Sequence, residues 1–79
     1  MNVTVSTFLQ LSQLRRGQMA VIEEVDSHTA EPSHLAAMGL TVGSVIQVLM
    51  PGTPCAVVVG ETRLMLRCEQ CRAIRVSPL

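Results

Sequence analysis

Apolar positions in this chain come in short bursts separated by glycine, proline or polar clusters, and each burst has its own spacing. From Cys55 to Arg67 two short runs, CAVVV and TRLMLR, flank Gly60 and Glu61. A two-residue type II′ loop at that pair sets Val59 opposite Thr62, Val57 opposite Leu64 and Cys55 opposite Leu66. One face of the predicted hairpin is then Cys55, Val57, Leu64 and Leu66. The other is Ala56, Val58, Arg63, Met65 and Arg67, and its arginines mark it as the outer face, because charged heads stay in water.

The same reading extends in both directions. LSQLRRG, Leu11 to Gly17, sets two leucines at i and i+3 and stops at glycine, the pattern of a single helical turn. Gln18 to Val25 is too short and too β-branched for a helix and reads as a strand. Its Ile22 and Val25 are three apart, which a strict period of two would split between faces, so a bulge near Glu23 is expected. Pro32 opens a short helix with Leu35 and Met38 on one face, and Gly39 caps it in a left-handed conformation. Gly43 is a turn residue that releases the strand SVIQVLM, with Ile46 and Val48 on one face. Pro51 and Gly52 suit the central positions of a type II turn. CEQC, Cys68 to Cys71, reads as one more short turn, and AIRV as the final strand.

Residues 1–10 alternate weakly through Val3 and Val5, as an N-terminal extension or added edge strand before a domain spanning 11–79. About five short strands, one bend and one short helix predict an all-β fold, a small antiparallel β-barrel. An open sheet with the helix on one face is the alternative.

Composition narrows the function classes. With 79 residues the chain makes one domain with a small core, and a roomy buried active site is not expected. Hydrophobic residues reach 48% while Phe8 is the single aromatic, so aliphatic side chains fill the core and stacking on bases lacks its usual material. The formal charge is zero, with residues 1–40 at −2 and 41–79 at +2, a weak dipole without the counterion-release drive of a nucleic acid binder. No secretory signal is readable, and no apolar run approaches the ~20 residues of a membrane span. Three cysteines, an odd number, fit a reducing cytoplasm rather than a disulfide framework.

Chemistry-bearing residues are few. Cys68 and Cys71 form a lone CxxC, whereas a structural zinc site takes four ligands; the remaining soft or imidazole donors are Cys55, His28 and His34. The hairpin register points Cys55 inward and Cys71 leads into an apolar stretch, so both read as small buried hydrophobes. A redox CxxC would open a long helix in a βαβ setting, and strands are expected on both sides of this one. His28 and His34, six apart across Pro32, do not share a helix face. Glu23, Glu24, Asp26 and Glu31 read as a solvated rim, since neighbours on a strand point to opposite sides. No GxSxG, no GxxxxGK and no Ser/His/Asp set stands out, and neither an enzyme nor a cofactor is expected.

Taken in order, LxxLxxG (Leu11, Leu14, Gly17), Ile22 and Val25, LxxMGLxxG (Leu35 to Gly43), IxV (Ile46, Val48), VxVG (Val57, Val59, Gly60) and LxLRxxxCxxIxV (Leu64 to Val76) resemble the FeoA family. These small cytoplasmic proteins accompany the FeoB ferrous iron transporter, a membrane protein with a GTPase domain. The resemblance implies an SH3-like β-barrel with a short helix and a role in bacterial ferrous iron uptake through contact with FeoB. The same domain type forms the C-terminal module of DtxR-like metal-dependent repressors, so a metal-binding or metal-sensing module is the alternative. No winged-helix region precedes the domain in this sequence, and a free-standing protein is expected. The chain departs from the family pattern at His34, where arginine is frequent, at Val42, where proline is common, and at Cys71, where a small residue is typical.

The outer hairpin face supplies the candidate partner-binding residues. Val58 and Met65 sit between Arg63 and Arg67, with Val45 and Leu49 expected outward on the neighbouring strand. Leu40 and Val42, on the turn between the two glycines, complete the set. An apolar patch rimmed by arginine marks a contact surface, for the transporter or for another copy of the chain. The plainer reading has these residues covering the barrel or packing against residues 1–10.

Overall fold

The computed structural model describes residues 8–26 and 32–79. In chain order these form β1 (Leu9–Gln10), a 3-10 turn (Leu11–Gln13), β2 (Met19–Val25), α1 (Pro32–Ala37), β3 (Val45–Met50), β4 (Cys55–Val59), β5 (Thr62–Leu66), α2 (Cys68–Ala73) and β6 (Ile74–Pro78). All strands pair antiparallel in one sheet of order β1-β6-β2-β3-β4-β5. The all-β class is the one expected. The sheet has six strands rather than five, however, and among the described residues it stays open, with β1 and β5 as its edges. Val3 and Val5, on which an N-terminal extension or edge strand is expected, lie outside the described residues.

Two bulges curl the sheet. The one expected near Glu23 is present, as the β2–β6 register slips between Ile22 and Glu24. It brings Val25 against the core on the side of Ile22, whose main chain serves a turn: the Ile22 N–H donates to the Ser44 carbonyl (2.9 Å) and its carbonyl accepts from the Gly43 N–H (2.8 Å). The second bulge, between Val48 and Met50 opposite β4, has no counterpart in the sequence reading.

The β4–β5 hairpin takes the predicted register throughout, from Val59↔Thr62 to Cys55↔Leu66. Gly60 has φ +63° and Glu61 a negative φ, the combination a type II′ loop requires. By contrast, Pro51 and Gly52 do not close a type II turn. Gly52 sits at φ +125°, and the β3–β4 reversal is a Pro51–Pro54 loop with a cis Thr53–Pro54 peptide bond.

Helix α1 ends as its sequence suggests, and the ending corrects one expectation. The Gly39 N–H donates to the Ala36 carbonyl (2.9 Å) and the Leu40 N–H to the Leu35 carbonyl (2.9 Å), with Gly39 at φ +90°. These are the paired bonds of a Schellman cap, whose usual companion is an apolar contact between the residue after the glycine and the one five earlier. Leu40 and Leu35 are those residues, both buried in the core cluster. Leu40 is therefore only 1% exposed and offers no side chain to a partner.

CEQC is a second correction, a helix rather than a turn. The Cys71 N–H donates to the Arg67 carbonyl (3.0 Å), and the Gln70 Oε1 reaches back to accept from the Arg67 N–H (2.8 Å). Glu69 in the first turn and Arg72 in the last complement the helix dipole. Helix α2 packs against the 3-10 turn and turns Cys71 and Ala73 inward.

The core is wholly aliphatic and thiol. Ile22, Leu35, Ile46, Val57, Leu66 and Ile74 show no exposed surface, and no polar or charged residue is buried among the described ones. Each such side chain contributes about 1.5–3 kcal/mol by leaving water, with no polar group to desolvate in exchange.

Candidate functional site

The outward side of the sheet is where apolar surface remains in water. The strand registers arrange it in rows: Met19, Gln47, Val58 and Arg63 lie abreast across β2, β3, β4 and β5, and Met50, Ala56 and Met65 form the next row. The bulge at the end of β3 presents Leu49 and Met50 together on this side, so both join the surface. Met65 is 63% exposed and Met50 53%, large values for thioether side chains that ordinarily fill interiors.

Two depressions mark this face. One, of ≈ 270 Å³, is lined by Leu49, Met50, Ala56, Arg63, Leu64 and Met65. The other, of ≈ 290 Å³, is lined by Met19, Val45, Gln47, Val58 and Gly60. Gln47, in the wall of the second, is held by a hydrogen bond from its Nε2 to the Gly17 carbonyl (3.2 Å). No acid, histidine or thiol lines either, so this face supplies shape and apolar contact rather than proton transfer or covalent chemistry. A third and larger hollow, ≈ 670 Å³, lies over Gln13, Arg15, Arg16 and Gln18 and is open to solvent.

Of the residues picked out from sequence, Val45, Leu49, Val58, Arg63 and Met65 come together on this face, and Arg67 stands exposed where β5 ends. Val42 is 64% exposed but sits on the Thr41–Ser44 turn, which the Ser44 N–H closes onto the Thr41 carbonyl (3.0 Å). Leu40 is in the core. Met19 and Met50 belong to the surface and were not singled out. Period-two patterning from Ile46 places Met50 on the inner side, and only the bulge reverses it.

The cysteines take the places their neighbours imply. Cys55 and Cys71 are buried in one core cluster, each 2% exposed, and the Cys71 Sγ lies 4.0 Å from the Leu66 carbonyl oxygen. Burial, with the neighbouring Cys55 second, pushes the Cys71 thiol up to about 12. Burial also raises Cys55, partly offset by its hydrogen bond with Cys71. Both stay protonated at neutral pH and act as apolar filling.

The remaining polar candidates do not converge. His34 is exposed on α1, whereas His28 and Glu31 lie outside the described residues. Glu24 meets Arg75 at 3.8 Å with side chains 59% and 35% exposed, a surface pair worth little. Among the described residues no three His, Cys, Asp or Glu side chains are grouped to hold a metal, and no helix is long and apolar enough to cross a membrane.

Solved structures show the same architecture. A crystal structure of FeoA, described as an iron uptake regulatory protein, superposes with TM-score 0.85 at 25% identity, over 92% of this chain and 100% of that one. FeoA of Stenotrophomonas maltophilia in complex with zinc, described as a prokaryotic SH3 domain protein, gives 0.77 at 28% identity, over 87% and 89%. IdeR of T. acidophilum gives 0.83 at 20% identity, but this chain spans only 37% of it, and at that identity the likeness is one of fold alone. Comparison with curated protein sequences yields no match. The fold is thus SH3-like, as in proteins associated with ferrous iron transport. A family model described as the FeoA domain matches residues 9–78, nearly the whole sequence, and the chain belongs to that family.

Proposed function

We propose that this chain is a cytoplasmic accessory protein of bacterial ferrous iron uptake, which works by docking its outer sheet face on a FeoB-type membrane transporter. The observation that carries this reading is the apolar band of exposed Val45, Leu49 and Met65 with half-buried Val58, hollowed by two depressions and edged by Arg63 and Arg67. Interfaces concentrate methionine and arginine over an apolar centre, and this band has that make-up. Membership of the FeoA family supplies the transport system. The neutral net charge and the lack of a stacking platform argue against nucleic acid.

The test is Met65→Glu. The side chain is in water in the free protein, so the fold should hold, while a carboxylate pressed into an apolar contact should weaken capture of the transporter by about 10-fold or more. Unchanged capture from native membranes, at equal loading and with an unaltered circular dichroism spectrum, would remove this face from the reading.

A further inference from the structure

We infer that the open edge of β5 pairs with β5 of a second copy of this chain, joining two sheets across a two-fold axis at Leu64. Val59↔Thr62 flanks a two-residue loop and is therefore a hydrogen-bonded pair. Alternation along the ladder makes Val57↔Leu64 and Cys55↔Leu66 hydrogen-bonded as well. Val58↔Arg63 and Ala56↔Met65 are the intervening pairs, so the N–H and C=O groups of Arg63 and Met65 point away from β4. Among the described residues no strand lies on that side. The edge carries neither proline nor bulge, two of the devices that blunt an exposed strand, and its charges are Arg63 in the strand and Arg67 at its end.

Charge selects the occupant and the register. Pairing between copies must match outward-pointing residues with outward-pointing residues, and matching Arg63 and Met65 within β5 leaves three centres. An axis at Arg63 sets that arginine against itself. An axis at Met65 sets Arg63 against Arg67 of the second copy. Only an axis at Leu64 avoids like charges: Arg63 exchanges main-chain bonds with Met65 of the second copy, and Glu61 at the hairpin tip faces Arg67 of the second copy. Within one copy neither Glu61 nor Arg67 has an ion pair among the described residues, so both are free to make this one. Leu64, half-buried at the edge, meets its own equivalent at the axis. The contact is isologous and closes on itself.

An edge of five residues buries less than the ~1,200–2,000 Å² of a stable interface, so the dimer is weak and concentration-dependent. Sedimentation of the pure full chain should show the mean mass rising toward twice the monomer value between about 10 μM and about 1 mM. The amides of Arg63 and Met65 should gain exchange protection over the same range. Glu61→Arg and Arg67→Glu should each weaken association about 10-fold, and the double swap should restore it, since opposed like charges are exchanged for a matched pair. Met65→Pro, which removes an outward donor while sparing the β4 ladder, should abolish it. A chain monomeric at 1 mM overturns the inference, as does a dimer indifferent to these substitutions or a double swap that fails to restore it. The readout is self-association alone, so its outcome stands apart from that of transporter capture.

Discussion

Raising the pH from about 8.5 to about 11 titrates almost nothing in this protein except its thiols, because every cation is an arginine and there is no tyrosine. That makes alkaline unfolding a direct test of the buried cysteines. In the unfolded chain a thiol loses its proton near 9, whereas folded Cys71 keeps it to about 12. Between those limits the unfolded state binds fewer protons, so stability falls as pH rises, by about 1.4 kcal/mol per unit for each such thiol. Cys71's contribution is complete below pH 9 and lost above about 12. By pH 11 Cys71 alone removes roughly 3 kcal/mol, against a total of about 4–12 kcal/mol for a domain of this size. Cys55, raised by burial in the same direction, steepens the decline. Urea unfolding followed by far-ultraviolet circular dichroism under reducing conditions, repeated across the range, measures the slope. Cys71→Ala should lower stability at neutral pH and flatten the alkaline fall. A wild-type profile level to pH 11, or an equal slope in the variant, would refute the placement of these thiols.

Three further outcomes probe other parts of the structure. Leu40→Ala should cost about 2–5 kcal/mol in chemical denaturation, since it empties the contact that closes the α1 cap; a loss under 1 kcal/mol would put Leu40 at the surface. Gly39→Ala should cost about 1–2 kcal/mol by thermal melting. There the new Cβ would meet the Val59 Cγ1 at an ordinary 3.7 Å, so the penalty is one of φ +90° and not of space, and Gly39→Asn should recover part of it. Glu24→Gln should leave stability within about 0.5 kcal/mol, because its pair with Arg75 is solvent-exposed.

What could be read in advance divides by how local its cause is. The β4–β5 hairpin was legible to the residue because a two-residue loop fixes every pair behind it. The bulge in β2 was legible because Ile22 and Val25 violate the strand period. Helix α2 was missed because six residues between two strands give helical periodicity no room. Its signals were Gln70 three residues after Arg67, with Glu69 early and Arg72 late. Leu40 was misplaced by attending to the glycines beside it, although a glycine cap itself implies a buried residue next in the chain. Met50 reached the surface through a bulge that no residue type announces.

Among the described residues the two borders of the sheet are unequal: β1 pairs through Leu9 and Gln10, whereas β5 exposes a full strand. A ribbon of copies stacked head to tail would need both borders to act as templates of similar length. A two-fold contact at β5 instead consumes that border in both copies, so strand addition there terminates after a single step. The molecule can thus keep an adhesive border without becoming the seed of a fibre.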